Sequence, residues 1–474
     1  MLQRNALSKI LVVLFRVPTL HSLWVIAGPA IVLLGLSQGS GELWLLPKLH
    51  AKFGTQYSWI IFYGSLLQIP ILFEAMRTVI LTGENPLALL ARISRPWAFF
   101  FLTIAIVTLG GAGGFILTVG DSLWRLFGWP NNQMLDPMMS KKLWSLACAC
   151  AFALPIWLKL KHIERYLEIV VGTCAALSIL LFLTVICVRL EFLIALPKFM
   201  LSSLVPHGLS QLSDLSKGDL TTIVVGFTLM GLGGWYCLFF PVWGKNRGVG
   251  MSGVSKEPPF EGLALAEDSQ ENESRLKAWI KSSWLGSMAG LAGNAFTVML
   301  TSFLAYKILF SSGREIGSEW DLVTQQASFF EPVLGTFAPI AFMLAVGAFF
   351  ADTWLAVYAS LSQLISETLR VSFRGLRNIS EMRLFHRVFM VVSVASLFPM
   401  ITPISPGSLL LKWVGLSMFL SMPVLCGLLY YLNYCIIPTI GPSFYRPTRF
   451  QKSVFLLSWI VYLLMSAGYI WLVI

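Results

Sequence analysis

Residues 28–47 of the chain read GPAIVLLGLSQGSGELWLLP. The stretch begins and ends as an apolar helix, but its middle, from Gly35 to Glu42, holds three glycines, two serines, a glutamine and a glutamate. A bilayer core has no water that could hydrogen-bond to an unwound backbone, so such a break survives only where it faces protein or a wet cavity. We predict that Gly39, Ser40 and Gly41 unwind the first membrane helix, and that Glu42 lies beside the opening.

The composition of the chain is that of a membrane protein. Of its 474 residues, 56% are hydrophobic and only 12% are charged, whereas soluble domains carry about 25% charged residues. The net charge of +11 would suggest a nucleic-acid partner in a soluble protein. Here the charges lie in short loops between apolar runs, so we expect a lipid bilayer as the surroundings and no nucleic acid.

Runs of about 20 apolar residues, the length that crosses a bilayer, predict an all-α polytopic protein with about eleven membrane helices. Their approximate positions are 24–49 (broken), 57–81, 97–124, 142–160, 166–190, 220–241 (broken), 283–310, 335–366, 386–403, 408–437 and 453–473.

Most Lys and Arg residues fall on alternate loops, and cytoplasmic loops carry the excess of these residues. This bias predicts a cytoplasmic N-terminus, and we expect the membrane to be a bacterial cytoplasmic (inner) membrane. Residues 1–23 then form a cytoplasmic tail that can include a short surface helix. The only long polar loop, 244–282, is predicted to be a solvated cytoplasmic connector.

A second glycine-dense interruption lies in the sixth predicted span, where residues 226–236 read GFTLMGLGGWY. Breaks in spans one and six are typical of a five-plus-five inverted repeat, with repeats at 24–190 and 220–437 and an extra helix at 453–474. The alternative is that the glycines only permit close helix packing. Secondary transporters often build a substrate site near the midplane from paired broken helices, which makes Gly233 and Gly234 candidates beside the first break.

Carboxylates inside the apolar spans are the next candidates, because a charge in the hydrocarbon region is costly and usually functional. Asp352 lies well inside span eight, where it could accept a coupling proton or form a buried ion pair. Glu74 and Arg77 share a helix face in span two, so a structural ion pair is the default there, with proton coupling by Glu74 as the alternative. Asp121 is expected to be solvated.

Neutral polar residues within the spans could complete a coordination shell or serve helix packing; they are Ser37, Gln38, Asn294 and Asn433. The sequence contains no HExxH motif, no CxxC pair and no P-loop. The five histidines lie at span ends or in loops, and the seven cysteines are scattered. We therefore expect neither an enzyme nor a resident cofactor.

Several short motifs resemble the Nramp family of divalent-metal transporters, and more closely its divergent bacterial relatives. They are GPAI at 28–31, GSGE at 39–42, TGE at 82–84, GLGG at 231–234 and KNRGVGM at 245–251. The resemblance implies a LeuT-like fold and transport of a divalent metal ion, commonly with protons.

The family carries Asp-Pro-Gly-Asn in span one and Met-Pro-His in span six. In this chain, GSGE at 39–42 occupies the position of the span-one motif, and the segment around Gly233 and Gly234 occupies the position of the span-six motif. The family's Asp, Met and His ligands are missing, and the ligands left are the oxygen atoms of Glu42, of hydroxyl groups and of carbonyls freed by the breaks. Such hard oxygen ligands suit Mg²⁺, Mn²⁺ or Ca²⁺, and a site without any metal is the alternative.

We therefore predict a secondary active transporter of a divalent cation, with Glu42 as metal ligand and Asp352 as proton acceptor. One alternative is a symporter of an amino acid or another small organic solute, because a half-helix N-terminus can also hold a substrate carboxylate. Another is a membrane sensor that has lost transport.

Overall fold

The computed structural model describes residues 11–20, 24–37, 39, 41–131, 134–158, 163–254, 262–313, 325–401 and 413–473. The first half of the chain contains one strand and nine helices in this part. They are β1 (Leu11–Phe15), α1 (Trp24–Ser37), α2 (Leu46–Phe53), α3 (Trp59–Thr82), α4 (Pro86–Ile93), α5 (Arg95–Leu109), α6 (Gly113–Phe127), α7 (Pro137–Trp157), α8 (Ile163–Val188) and α9 (Leu190–Ser202).

The second half of the described chain also contains one strand and nine α-helices. Its elements are α10 (Lys217–Thr228), α11 (Phe239–Asn246), β2 (Gly262–Ala266), α12 (Gln270–Leu304), α13 (Glu331–Leu334), α14 (Ala338–Ser372), α15 (Glu381–Ala395), α16 (Leu416–Tyr430), α17 (Ile437–Ile440) and α18 (Arg449–Val473).

Within the described ranges, seven helices are long and apolar enough to cross a membrane. They are Trp59–Thr82, Arg95–Phe127, Arg165–Val188, Gln270–Phe310, Gly335–Ser372, Trp413–Ile440 and Ser443–Leu472. These correspond to predicted spans two, three, five, seven, eight, ten and eleven. Helices α7 and α15 lie where spans four and nine were expected.

Both predicted helix breaks are present. Helix α1 ends at Ser37, Gly39 is a buried bend, and the chain resumes as a π-helical turn at Gly41–Leu45 that leads into α2. Helix α10 ends at Thr228 and is followed by non-helical backbone and a 3₁₀ turn at Gly234–Leu238 before α11. The glycines lower the cost of leaving the helix, since they carry no Cβ and no helical preference.

The two broken spans lie side by side and antiparallel. Helix α11 packs against α1, while α10 packs against the turn Gly41–Leu45. Gly226 of α10 also packs against Leu46, the first residue of α2. A Cβ on Gly226 would stand 3.3 Å from Cδ2 of Leu46. The end of one span is therefore next to the beginning of the other, and the two breaks fall at the same depth of the bundle.

The N-terminal segment is a strand in its described part, rather than the short surface helix that the sequence suggested. Strand β1 pairs in parallel with β2, in the register Leu11 to Gly262 through Phe15 to Ala266. The following residues are also fixed, since the Val17 amide donates to Oδ1 of Asn272 at 2.8 Å.

The loop 244–282 is not a solvated connector throughout its described part, although residues 267–271 are exposed. Leu263, Leu265 and Ala266 of β2 are buried, and α12 begins at Gln270, well before the predicted start near 283. The Ser269 hydroxyl caps this helix by accepting from the Asn272 amide at 3.2 Å. Hydropathy detects only the part of a helix that is immersed in lipid, and the polar first turns of α12 lie outside that part.

Asp121 is buried and paired, so the expectation of a solvated carboxylate was wrong. Its side chain forms ion pairs with Lys141 at 2.8 Å and with Arg125 at 3.3 Å. Lys141 belongs to α7, which approaches α6 closely because Gly120 presents no side chain to it. The pair with Lys141 depends on this helix contact, and sequence spacing does not reveal it, whereas Arg125 lies four residues after Asp121 on the same helix.

Candidate functional site

The second break is enclosed by α3 and α16. The Ser65 hydroxyl donates to the Met230 carbonyl at 2.9 Å, and Nε2 of Gln68 donates to the Thr228 carbonyl. These side chains satisfy carbonyls that the end of α10 leaves without helical partners. From α16, the Met422 thioether accepts from the Gly234 amide at 3.2 Å.

Sequence reasoning missed Ser65, Gln68 and Met422 as neighbours of the break. The polar Gln68 inside an apolar span was a usable signal, because such a residue usually faces the interior of the bundle. Met422 gave no signal, since methionine is common in apolar helices.

The first break is enclosed by α6 and α14. A Cβ built on Gly39 would stand 3.7 Å from the Phe115 ring and 3.8 Å from Cγ2 of Thr353. One turn earlier, a Cβ on Gly35 would stand 3.7 Å from Oδ2 of Asp352. Asp352 and Thr353 on α14 therefore lie directly beside the last turn of α1 and the bend that follows it.

Asp352 is almost completely buried, with 1% of its surface exposed. The Thr353 hydroxyl lies within hydrogen-bond distance of two acceptors, Oδ1 of Asp352 at 3.2 Å and the Phe349 carbonyl at 2.9 Å, to either of which it can donate its one proton. Asp121, Glu84 and Glu74, in contrast, are buried carboxylates that lie away from the first break and form ion pairs with Lys141, Arg92 and Arg77. The structure thus brings a buried carboxylate and a hydroxyl to the first break.

Glu42 lies in the turn Gly41–Leu45, but its side chain is outside the described part of the chain, as are Gln38 and Ser40. Its assignment as a metal ligand stays a prediction. In the ranges that the structure does describe, no group of three or more His, Cys, Asp or Glu side chains could hold a metal ion.

Glu74 is set apart from both breaks. Its carboxylate pairs with Nη1 of Arg77 at 3.2 Å, accepts from Nδ2 of Asn433 at 2.9 Å and accepts from the Tyr434 hydroxyl at 2.8 Å. Arg77 also donates to the Tyr445 carbonyl at 2.6 Å. This geometry favours the structural ion pair over the coupling role, and it places Asn433 in that pair's network rather than at the breaks.

Asn294 on α12 is a further candidate. It is fully buried, and neither its amide oxygen nor its amide nitrogen has a hydrogen-bond partner in the described structure. One turn earlier, Gly290 packs against Leu33 of α1, and Leu291 reaches the second break at Gly231. Helix α12 therefore touches both broken spans, with Asn294 one turn further along.

The TGE motif at 82–84 forms a turn rather than part of the site. Gly83 ends α3 with φ of 70°, a conformation that glycine adopts without strain. Nε of Arg92 donates to both carboxylate oxygens of Glu84 at 2.8 Å. Burial lowers the pKa of Arg92, but the Glu84 charge outweighs burial, and the pKa lies above its usual value.

A cavity of about 880 Å³ opens at the end of the bundle that carries β1. Its inner wall includes Ala359 and Ser360 of α14, which lie six and seven residues from Thr353, about 10 Å along the helix. Lys245 and Arg247 also line the cavity, and they form ion pairs with Glu367 at 3.0 Å and with Glu168.

We expect Gly234→Ala to lower the free energy of unfolding by about 3 kcal/mol, because the site cannot accommodate a Cβ. Gly234 has φ of 54°, and a Cβ there would stand 2.6 Å from the Met418 carbonyl and closer still to the Ser421 hydroxyl. Thermal unfolding of the purified protein in detergent measures the effect. Gly347→Ala on α14 is the control, since its Cβ meets nothing within 4 Å; equal losses in both variants would contradict the prediction.

Comparison with solved structures identifies the fold. The chain is similar to a variant of the Eremococcus coleocola manganese transporter, with 15% identity and a TM-score of 0.68 over 97% of this chain and 89% of that one. It is also similar to MhsT in complex with L-phenylalanine, with 14% identity and a TM-score of 0.55 over 93% of this chain and 98% of that one.

A third similar structure is Mhp1, a nucleobase–cation symport family transporter with bromovinylhydantoin bound. The identity is 14% and the TM-score 0.51, over 94% of this chain and 91% of that one. No protein-family profile matches the sequence, and no curated protein does. These structural neighbours are transporters and not enzymes. The chain is therefore a multi-pass membrane protein with the LeuT-like fold that these transporters share.

Proposed function

We propose that the protein is a secondary active transporter whose substrate site lies between the two helix breaks. The observation that carries the proposal is the antiparallel contact of the broken spans, with Asp352 buried beside the first break. A broken helix exposes carbonyls and amides that a substrate can bind without competition from an intact helix. A cavity lined by Ala359 and Ser360, about 10 Å along α14 from Thr353, is compatible with a transport path that enters from that end of the bundle.

The proposed substrate is a divalent cation. Carboxylate, hydroxyl and carbonyl oxygens are the ligands that Mg²⁺, Mn²⁺ and Ca²⁺ prefer. Glu42 would supply one carboxylate, and the unwound backbone at Gly39, Ser40, Gly41, Gly233 and Gly234 would supply carbonyls. Similarity to a manganese transporter supports this choice within the fold.

Asp352 is the proposed coupling residue. Asp352 is buried beside the last turn of α1, so a change of its charge on proton uptake alters the electric field at the neighbouring break. Thr353 would hold the ionised form through the hydrogen bond to Oδ1. Glu74 is the weaker candidate, because its charge is balanced by Arg77.

A symporter of an amino acid or another organic solute is the second candidate. The observation that favours it is the absence of a metal-holding group of three ligands in the described ranges, together with the similarity to MhsT, which was solved with L-phenylalanine. In that case Gln68 and the amides at the second break would bind polar groups of the solute.

We expect Glu42→Ala to reduce saturable cation uptake about ten-fold or more, because the loss of a charged ligand costs about 1.5–3 kcal/mol. The measurement is uptake of Mg²⁺, Mn²⁺, Fe²⁺ and Ca²⁺ by proteoliposomes that contain an internal pH dye. Glu191→Ala is the matched control, since the Glu191 side chain is 72% exposed and lies far along the chain from either break.

Three results decide among the candidate functions. Uptake that survives in Glu42→Ala at wild-type expression would remove Glu42 from the site. Absence of metal flux with uptake of labelled amino acids would favour the organic-solute symporter. Absence of every flux in folded protein would favour a sensor.

A further inference from the structure

A groove on the outer surface of the bundle lies between α5, α14 and α15, away from the helix breaks. It encloses about 440 Å³. Its floor is formed by Tyr358, Leu361 and Ile365, which are at least nine-tenths buried. Its rims are exposed, with Val391 at 69% and Ile106 at 44% of their surface accessible, so the groove faces the surroundings of the bundle and not its interior.

The groove is long and narrow. Along α15 it runs from Arg387 to Ser396, nine residues or about 14 Å at the helical rise. Along α14 it runs antiparallel, from Leu369 to Tyr358, and the hydrogen bond from Trp354 to the Ser396 hydroxyl at 3.2 Å fixes the far end. Its lining is almost entirely aliphatic. This shape fits an extended acyl chain rather than a polar solute.

One end of the groove carries a cation. Arg387 lines it, is exposed and has no ion pair or hydrogen bond among the described residues. The nearest carboxylate on the same helix, Glu381, is already paired with Lys245 and Arg370. Arg387 lies six residues, about 9 Å, inside the start of α15, which is a depth from which an arginine side chain extends to the lipid headgroups.

We propose that this groove binds one anionic phospholipid, with an acyl chain along α14 and the headgroup phosphate on Arg387. Arginine binds phosphate oxygens through two parallel N–H donors. A zwitterionic phosphatidylcholine carries the same phosphate, but its choline cation is repelled by Arg387, so the lipid with a net negative charge binds more tightly. The aliphatic walls hold the chain by burial of its methylene groups. The groove is separate from the proposed transport path, so the lipid proposal does not depend on whether the protein moves a metal ion.

Native mass spectrometry of the full chain in detergent tests the proposal, with phosphatidylglycerol and phosphatidylcholine of identical acyl chains as probes. The wild type should retain phosphatidylglycerol in preference. Arg387→Gln should weaken its binding about five-fold, because one basic residue near an anionic headgroup contributes a factor of this size. Arg383→Gln is the matched control, since Arg383 is exposed and unpaired in the described structure, one turn earlier, but does not line the groove.

A second variant tests the groove without a change of charge. Gly110 lies on the rim, and a Cβ there meets nothing within 4 Å, so Gly110→Leu fills the groove without strain. It should weaken retention of both lipids. Equal retention of the two lipids by the wild type, or equal effects of Arg387→Gln and Arg383→Gln, would overturn the proposal. Displacement of the lipid by soluble glycerol phosphate would show an anion site alone and would also overturn it.

Discussion

Asp352→Asn is expected to abolish proton-driven accumulation of the substrate. If one proton moves with each ion, a gradient of about one pH unit supplies about 1.4 kcal/mol and drives about ten-fold accumulation. Asparagine keeps the size and the hydrogen bond from Thr353 but cannot take up a proton. The variant should therefore equilibrate the substrate without accumulating it, and the pH dye should report no proton flux.

The control for Asp352→Asn is Asp121→Asn, which also neutralises a buried carboxylate. Asp121 pairs with Lys141 and Arg125 between α6 and α7, so its loss should lower stability and leave the dependence of uptake on pH in place. Accumulation that still follows the pH gradient in Asp352→Asn would assign coupling to another group. Glu74→Gln is then the next variant to measure.

Arg77→Met is expected to lower the free energy of unfolding by about 3–5 kcal/mol, because it leaves a buried carboxylate without its counter-charge. Arg77 and Glu74 are each 1% exposed, and Arg77 also ties α3 to the Tyr445 carbonyl. The double variant Glu74→Gln with Arg77→Met should recover part of this loss, since the unpaired charge is gone. The measurement is thermal unfolding in detergent of the wild type, of Arg77→Met and of the double variant.

The comparison for Arg77→Met is Arg189→Met. Arg189 pairs with Glu191 at 3.7 Å on the surface, with both side chains substantially exposed, and such pairs contribute about 1 kcal/mol or less. A loss in Arg77→Met no larger than that in Arg189→Met would contradict a structural role for the buried pair. Uptake that stays sensitive to pH in the double variant would argue against coupling through Glu74.

The helix breaks were predictable because their cause is local. Glycine density around Gly39 and Gly233 weakens a helix wherever that helix lies, and the sequence shows it directly. The partners of the breaks were not predictable in the same way. Met422 and Thr353 reach the breaks only because α16 and α14 pack there, and a single sequence carries no record of which helices are neighbours.

The same distinction explains the wrong expectations. Asp121 was expected to be solvated because its partner Lys141 lies on the next helix. A short surface helix was suggested for the tail because the partner of β1 is a strand about 250 residues away. Short apolar runs such as Leu11–Phe15 are compatible with several structures until a partner is known. Pairing across the chain is decided by tertiary contacts, which local patterns do not encode.

The parallel strand pair has a mechanical consequence for the transport cycle. β1 stands a few residues before α1, the first half of a broken span, and β2 belongs to the segment between α11 and α12. The strands also bond to their surroundings, because the Ala266 amide donates to the Tyr445 hydroxyl at 2.8 Å and Trp279 donates to the Pro18 carbonyl at 2.9 Å. A swing of α1 away from the bundle must either drag this anchor along or detach it. In the proposed transporter, the tail therefore acts as a tether that biases the equilibrium between the two open states, and residues 11–18 move together with α1.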